Sequence, residues 1–405
     1  MQRVWKQSLL ASILLCTPLW VRQGTSEAVQ ARYYPSKETF LAGEPVFILL
    51  ELHNSETKPL EIVAVTNSGL CALLMGLQVE VNGAKPRMYQ APYCQGGFVG
   101  SCLGGVVELG SEETHLQRYL LNDWFDLEEA GIYSVRISQE LGLRQPGDNQ
   151  KTPLGRVEGR FSLSIVPATE PTLRQAYEPI LRQLSSSDPM LRYEARNIIA
   201  TMAPPFLEDI IVGFGYSSDP SEQSAAVTAL ERLNTPRSRT ELARLARETE
   251  GAVRQQAIFA LGRIGNLAHL PLMQELASCE DRYVQHAAIR SAGRVGGQDA
   301  VAFLRLLLRS DDPAVRHDAV FGLANTGSRD AVAAIIEMLQ DPDPMVRQSA
   351  TIALPGITHR SVPGDMQDRA KAKEAARRWA RWWVLNWDKA EVFGPTDCGP
   401  VLELE

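Results

Sequence analysis

The chain has 405 residues, a formal net charge of −7, 44% hydrophobic residues and 22% charged residues. That length suffices for two or three domains with their own cores, and the composition is globular, with no low-complexity tract. The acidic balance excludes recruitment of nucleic acid by bulk charge and leaves any anion binding to a local basic patch.

Residues 1–31 read as a secretory signal peptide. Arg3 and Lys6 form a basic start, Ser8 to Val21 is an apolar run too short for a comfortable membrane span, and small residues follow at Ser26, Ala28 and Ala31. Cleavage after Ala28 or after Ala31 satisfies the small-residue rule. The mature chain is then expected outside the cytosol, secreted or in the periplasm or cell envelope, without a membrane span and in an oxidising space. Five cysteines remain there. Cys94 and Cys102 bracket a glycine-rich stretch, YCQGGFVGSCLGG, and are the candidates for a small disulfide, with Cys71 as a competing partner for either. Cys279 reads as a buried core thiol near the end of a helical pattern.

Residues 32–168 are strand-like. VFILLELHN (Val46–Asn54) is apolar and β-branched enough for a buried strand, and LEIVAV follows a polar turn. LQVEVNG alternates before Asn82–Gly83, a hairpin signal. Further strands fall near Gly105–Leu109, Ile132–Ser138 and Arg160–Val166. Seven or eight short strands predict an antiparallel β-sandwich. In DLEEAGIYSVRI, a Leu-x-x-Ala-Gly-x-Tyr pattern leads into a strand, which resembles the tyrosine corner of immunoglobulin-like sandwiches, with Tyr133 as the corner tyrosine. FLAGEPVFILLELHN is likewise similar to the start of bacterial Ig-like and protease-inhibitor-like sandwich domains. That resemblance implies binding or spacing, or inhibition of a protease through the Cys94–Cys102 loop.

Residues 169–360 carry an internal period. Arg192, Gln223, Arg254, Gln285, Arg316 and Arg347 are each 31 residues apart, six units with no insertion. Four residues before each stands an acid: Asp188, Asp219, Glu250, Asp281, Asp312 and Asp343. An acid there caps free N–H groups at a helix start and suits the dipole. The next column holds Pro189, Pro220, Pro313 and Pro344, proline being favoured at the first helical position. Alanine recurs three after each Arg/Gln, from Ala195 to Ala350, and a bulkier layer from Ile199 to Leu354 lies four further on. A preceding helix in each unit has its own apolar stripe, such as Leu242 with Leu245. Each unit therefore reads as helix–turn–helix, with Gly265, Gly296 and Gly327 at turns.

GAVRQQAIFALGRIG and DDPAVRHDAVFGLANTG resemble HEAT-like repeats of the bilin-lyase type, a resemblance that runs from about Glu170 to His359. It implies an α-solenoid of six 31-residue helix pairs. Residues 361–390 read as a capping helix whose Trp379, Trp382, Trp383 and Trp387 share one face and cover the last repeat. Residues 391–405 read as an extended tail.

Motifs of catalysis are missing from the sequence: there is no G-x-S-x-G, H-E-x-x-H, phosphate loop or C-x-x-C. No cofactor is implied. His286 and His317 are equivalent residues 31 apart, but their aligned neighbours Gln255 and Gln348 are poor ligands, so a metal site is not expected. The outward face of the second helices is the candidate binding surface for a protein partner: Gln255, Phe259, Arg263, His286, Arg290, Arg294, His317 and Phe321, with the phenylalanines flanking Arg290. Arg254, Arg316 and Arg347 read as structural, forming ion pairs or carbonyl contacts between units, and Asp188, Asp219, Asp312 and Asp343 as helix caps. In the stretch Arg316–His317–Asp318, the aspartate stands in a column with no fixed chemistry. The leading expectation is an exported, non-catalytic scaffold. A bilin-lyase-like enzyme is the alternative implied by the repeat type, opposed by the signal peptide.

Overall fold

The computed structural model describes residues 29–65, 77–86, 105–147, 152–362, 368–394 and 402–403. The chain divides at Pro167 into a strand unit and a helical unit. Cys71, Cys94, Cys102 and Cys398, and with them the expected disulfide, lie outside the described residues, as does the apolar run of the leader.

The first unit contains β1 (Val29–Pro35), β2 (Thr39–Leu41), β3 (Phe47–Asn54), β4 (Leu60–Val65), β5 (Gln78–Asn82), β6 (Lys85–Pro86), β7 (Gly105–Leu109), β8 (Thr114–Leu120), β9 (Phe125–Asp126), β10 (Gly131–Arg144) and β11 (Thr152–Val166). One sheet has the order β1-β3-β8, the other β2-β11-β10-β4-β7 with β5 also on β10. The two share one core. Alternate residues of β3 (Ile48, Leu50 and Leu52) are buried in it together with Ile62, Ile137, Leu163 and Ile165, as period-two alternation requires of a sheet with one buried face. The sheets are antiparallel except for β2, which runs parallel to β11. Asn82–Gly83 does turn the chain, with Gly83 at φ 89°. It does not form the expected hairpin, because β5 pairs with β10 and β6 with β9, so long-range pairing overrides the local turn. The Tyr133 hydroxyl donates to the Glu129 carbonyl at 2.8 Å, tying the loop before β10 to the strand. β1 starts three residues before the boundary read from sequence, and its Val29 and Ala31 are fully buried.

The helical unit contains α1 (Glu170–Leu184), α2 (Pro189–Met202), α3 (Glu208–Gly215), α4 (Pro220–Leu233), α5 (Pro236–Glu248), α6 (Gly251–Ile264), α7 (Leu270–Leu276), α8 (Arg282–Val295), α9 (Gly297–Leu307), α10 (Pro313–Asn325), α11 (Arg329–Met338), α12 (Pro344–Thr358) and α13 (Arg369–Asn386). The even-numbered helices α2 to α12 begin 31 residues apart, at the column where proline recurs. Asp188, Asp219, Asp281, Asp312 and Asp343 each accept from the backbone N–H two residues on, at 2.8–2.9 Å. Glu250 makes no such cap, and Gly251 follows it at φ 59°. The alanine column Ala195, Ala226, Ala257, Ala288, Ala319 and Ala350 is fully buried, as is the layer above it.

The Arg/Gln column does not bridge successive units. Arg192 reaches Ser186 O, Gln223 Ser217 O, Arg254 Ala246 O, Gln285 Ala277 O, Arg316 Ser310 O, and Arg347 Asp341 O and Pro342 O. Each side chain closes the turn of its own helix pair, where carbonyls at the end of one helix lack an intrahelical partner. The exception is Arg316, which also grips Asp341 of the next unit through two bonds of 2.9 and 2.8 Å. Two of the capping acids pair with arginines on the preceding helix of the same layer, Asp219 with Arg196 and Asp312 with Arg282, not with the arginine one turn ahead.

The cap helix differs from expectation too. Its buried face is Ala372, Ala375, Ala376 and Trp379, packed toward α11, while Trp387 is 60% exposed. The tail is not simply extended: Phe393 stacks on His359 at 3.7 Å and donates its N–H to Ile357 O, and Leu402–Glu403 pairs with Arg360–Ser361. Cys279 is a free, half-buried thiol in the turn after α7 rather than a core residue.

The even-numbered helices α6, α8, α10 and α12 pack directly on one another. α8 and α10 are in backbone contact at Gly293 and Gly322. A Cβ on Gly293 would lie 1.9 Å from the Gly322 carbonyl oxygen, which no rotamer change relieves. Gly293→Ala is therefore expected to lower the unfolding free energy by about 2–3 kcal/mol or more, measured by urea titration, because backbone must move.

Candidate functional site

Five of the eight face residues read from sequence, Phe259, His286, Arg290, His317 and Phe321, come together across α6, α8 and α10, and all eight are half-buried rather than freely exposed. Gln255, Arg263 and Arg294 make no hydrogen bond or ring contact with these five. The residue that organises the rest is one the sequence reading passed over, Asp318. It is 6% exposed, and its Oδ1 lies 2.7 Å from His286 Nδ1 and 3.3 Å from Arg290 Nε. Arg290 Nη2 is 3.3 Å from His317 Nε2, and its Cζ sits 4.4 Å from the Phe321 ring centroid. His317 packs edge-on against Phe321 at 5.1 Å, and Phe259 meets His286, not Arg290, at 6.5 Å. Arg263 is held by both oxygens of Glu231 on α4 at 2.5 Å.

The hydrogen bonds fix the state of His317. Ser349 Oγ lies 2.6 Å from His317 Nδ1 and donates its single proton to Met345 O at 2.8 Å. His317 Nδ1–H must then donate to Ser349, leaving Nε2 as the acceptor for Arg290. This neutral form agrees with a pKa held below the ordinary histidine value, by burial first, against the opposing charge of Asp318, with smaller lowering effects of Arg290 and His286. Burial works to raise the carboxyl of Asp318. The hydrogen bond from His286 and the charges of His286, Arg290 and His317 outweigh it, so its pKa ends below the usual range. The Arg290 and Arg294 guanidiniums are both held below the usual arginine value, chiefly by burial.

A serine, a histidine and an aspartate thus lie in contact, yet the arrangement does not activate a nucleophile. Ser349 is 2% exposed, accepts from the histidine instead of donating to it, and spends its proton on a helix carbonyl. Among the described residues no group of three His, Cys, Asp or Glu side chains is placed to hold a metal ion. None of the described helices is long and apolar enough to cross a membrane.

With that geometry in view, comparison with known proteins is informative about the helices. Residues 242–316 and 303–385 match the HEAT repeats family. The match spans the helices from the middle of α5 to α13. Among solved structures, an engineered protein is 23% identical over 44% of this chain and 94% of its own, with a TM-score of 0.29. The CpcE–CpcF complex of phycocyanin lyase from Nostoc sp. is 19% identical over 37% of this chain and 99% of its own, with a TM-score of 0.31. YibA of Escherichia coli is 19% identical over 44% of this chain and 69% of its own, with a TM-score of 0.32. At such scores these likenesses carry no argument about activity. No curated protein sequence matches the chain.

Two signals could have exposed Asp318 in the sequence. It is the one aspartate in a column otherwise occupied by Glu194, Ala225, Gln256, Ala287 and Ser349, and it stands 32 residues after His286. His317 and Ser349 have the same offset, so adjacent even-numbered helices pair residues 32 apart. The 31-residue period aligns equivalent positions and does not contain this one-residue shift.

Acid should weaken the array through both groups. The unfolded chain protonates His317 near pH 6.5 and the folded chain only lower, so that contribution is complete above about pH 6.5 and is lost as pH falls toward the folded pKa. The contribution of Asp318 is complete above about pH 4 and is lost as pH falls through its depressed folded pKa. The urea midpoint should therefore drop from pH 7.5 to pH 5, and His317→Asn should flatten that limb while leaving the loss below pH 4.

Proposed function

We propose that this protein is an exported, non-catalytic scaffold that holds a protein partner on the face of its even-numbered helices. The observation that carries the reading is the Asp318–His286–Arg290–His317–Phe321 network. It fixes arginine and aromatic side chains, the residue types that dominate binding hot spots, before any partner arrives. The repeat family supports it, since arrays of this kind present extended surfaces. So does the packing: α6, α8, α10 and α12 lie closer to one another than do the odd-numbered helices, which makes theirs the inner layer. Along that layer Tyr283, Met345 and Ile352 are exposed apolar residues; Tyr283 lies on the stripe of α8 that carries His286, Arg290 and Arg294, Met345 is its equivalent on α12, and Ile352 is the equivalent of Phe321.

We read the helices as six HEAT-like pairs followed by a cap, on the strength of the six helix starts in register. We read the strand unit as an immunoglobulin-like sandwich, on the strength of its two sheets around one core and the Tyr133–Glu129 bond. It serves to dock or space the array. Export follows from the basic start and apolar run of residues 1–21. If the leader is removed, the cut belongs after Ala28, because cutting after Ala31 would delete buried Val29 and Ala31 from β1. N-terminal sequencing of protein recovered from the envelope or medium should therefore read Val29 first; a first residue of Arg32 would contradict this.

A photo-crosslinking residue placed at Tyr283 or Ile352 in the native host should yield the same protein adduct, and one at Leu306 on α9 should not. Tyr283→Ser and Ile352→Glu, both at exposed positions, should change stability by no more than about 0.5 kcal/mol and reduce capture by an order of magnitude or more. Equal adducts from Leu306, or unchanged capture in both variants, would remove the proposed face.

A further inference from the structure

Arg263 and Arg294 are equivalent residues in the last turns of α6 and α8, and both lie on the inner layer. Their surroundings differ in one respect. The one-residue shift between neighbouring helices gives Arg263 the carboxylate of Glu231, which it grips with two bonds of 2.5 Å. The same shift gives Arg294 position 262, which is glycine. Gly262 has no side chain to offer, and any larger residue is excluded: a Cβ there would lie 2.7 Å from the Ser291 Cβ and 2.8 Å from its Oγ.

Arg294 consequently has no hydrogen bond or ion pair among the described residues, although it is half-buried. The charges that act on it are Arg263 and Arg290, both unfavourable, and Glu231, which is already committed to Arg263. Arg263 is matched by Glu231, and Arg290 by Asp318, which His286 also contacts. Arg294 is the arginine of this group that no carboxylate among the described residues reaches. A guanidinium offers a planar fork that fits a carboxylate through two parallel bonds. The array shows that pairing one helix earlier.

We propose that Arg294 is the docking point for a carboxylate supplied by the partner, an Asp or Glu side chain in an acidic segment laid across α6, α8 and α10. This rests on the reading of the inner layer as a docking face and names the chemistry of what binds there. A single unmatched positive charge suits one carboxylate better than a doubly charged phosphate. Asn325, the equivalent of Arg294 on α10, donates its amide to the Arg290 carbonyl and so marks the end of the basic row.

The test uses the full chain and a fluorescent hexaglutamate peptide, blocked at both ends, followed by anisotropy at low salt. The wild type should bind it. Arg294→Gln should weaken binding at least about ten-fold, the loss expected for a charge-assisted pair, and Arg294→Lys should fall between, keeping the charge but not the fork. Arg309→Gln, at an exposed arginine after α9, should bind as the wild type does. Arg294→Gln should also melt no lower than the wild type, since it removes an unmatched charge; a structural arginine would cost stability. The inference is overturned if the wild type does not bind, if Arg294→Gln binds equally well, or if Arg309→Gln loses as much. Preference for a phosphoserine peptide through Arg294 would overturn the carboxylate in favour of a phosphate. If Arg294→Gln keeps its affinity while crosslinks from Tyr283 and Ile352 persist, this inference alone fails; if those crosslinks are lost as well, the docking face fails with it.

Discussion

The arrangement of the inner layer depends on a contact between two backbones. At Gly293 and Gly322 there is no room for a methyl group, so the backbones of α8 and α10 meet directly. That approach brings a carboxylate on α10 within reach of an arginine and a histidine on α8. With an alanine at either glycine the helices would separate, and Asp318 would be left buried without its full set of partners. An unpaired buried carboxylate costs far more than a modest packing defect.

Around this contact the chain uses its charges in two ways. The Arg/Gln column ends on carbonyls of the turns within each helix pair; Arg347, 3% exposed, shows how deeply such a side chain can be drawn in when it has acceptors for its donors. The second set, on the opposite face, links helix to helix. There His286, His317 and Arg263 reach partners on the neighbouring helix one residue out of register, and whether a side chain finds a partner depends on which residue stands at that offset. His286 finds Asp318, His317 finds Ser349, Arg263 finds Glu231, and Arg294 finds a glycine.

The histidines illustrate how the same residues can be mistaken for a reaction centre. Arg316, His317 and Asp318 are consecutive, but helical geometry sends them to three destinations. Arg316 turns toward the loop and grips Asp341, Asp318 turns inward, and His317 stays at the half-buried edge against Phe321. The Ser349–His317 bond runs from the imidazole to the hydroxyl, opposite to the direction a nucleophile requires. What results is a rigid polar seam between repeats.

The periodic part of this structure was determined by sequence alone. Acids, prolines, alanines and larger apolar residues recur every 31 positions, and each column expresses a local rule: a cap for free N–H groups, a preset φ, a small side chain at a crossing, a filled layer. Such rules act within one or two helical turns, so they are legible without neighbours, and the helices begin where the columns place them. The strand unit was legible for the same reason at β3 and β4, where alternation within one strand carries the signal. The turn at Asn82–Gly83 was legible too, but its hairpin pairing was not, because which strands pair is decided by the sheet as a whole. Only the tertiary structure could show that neighbouring helices meet 32 residues apart, that the tryptophans of the cap do not all face inward, and that Asp318 is the centre of the network. Those facts depend on the distance and rotation between packed helices, which no single column of the repeat contains.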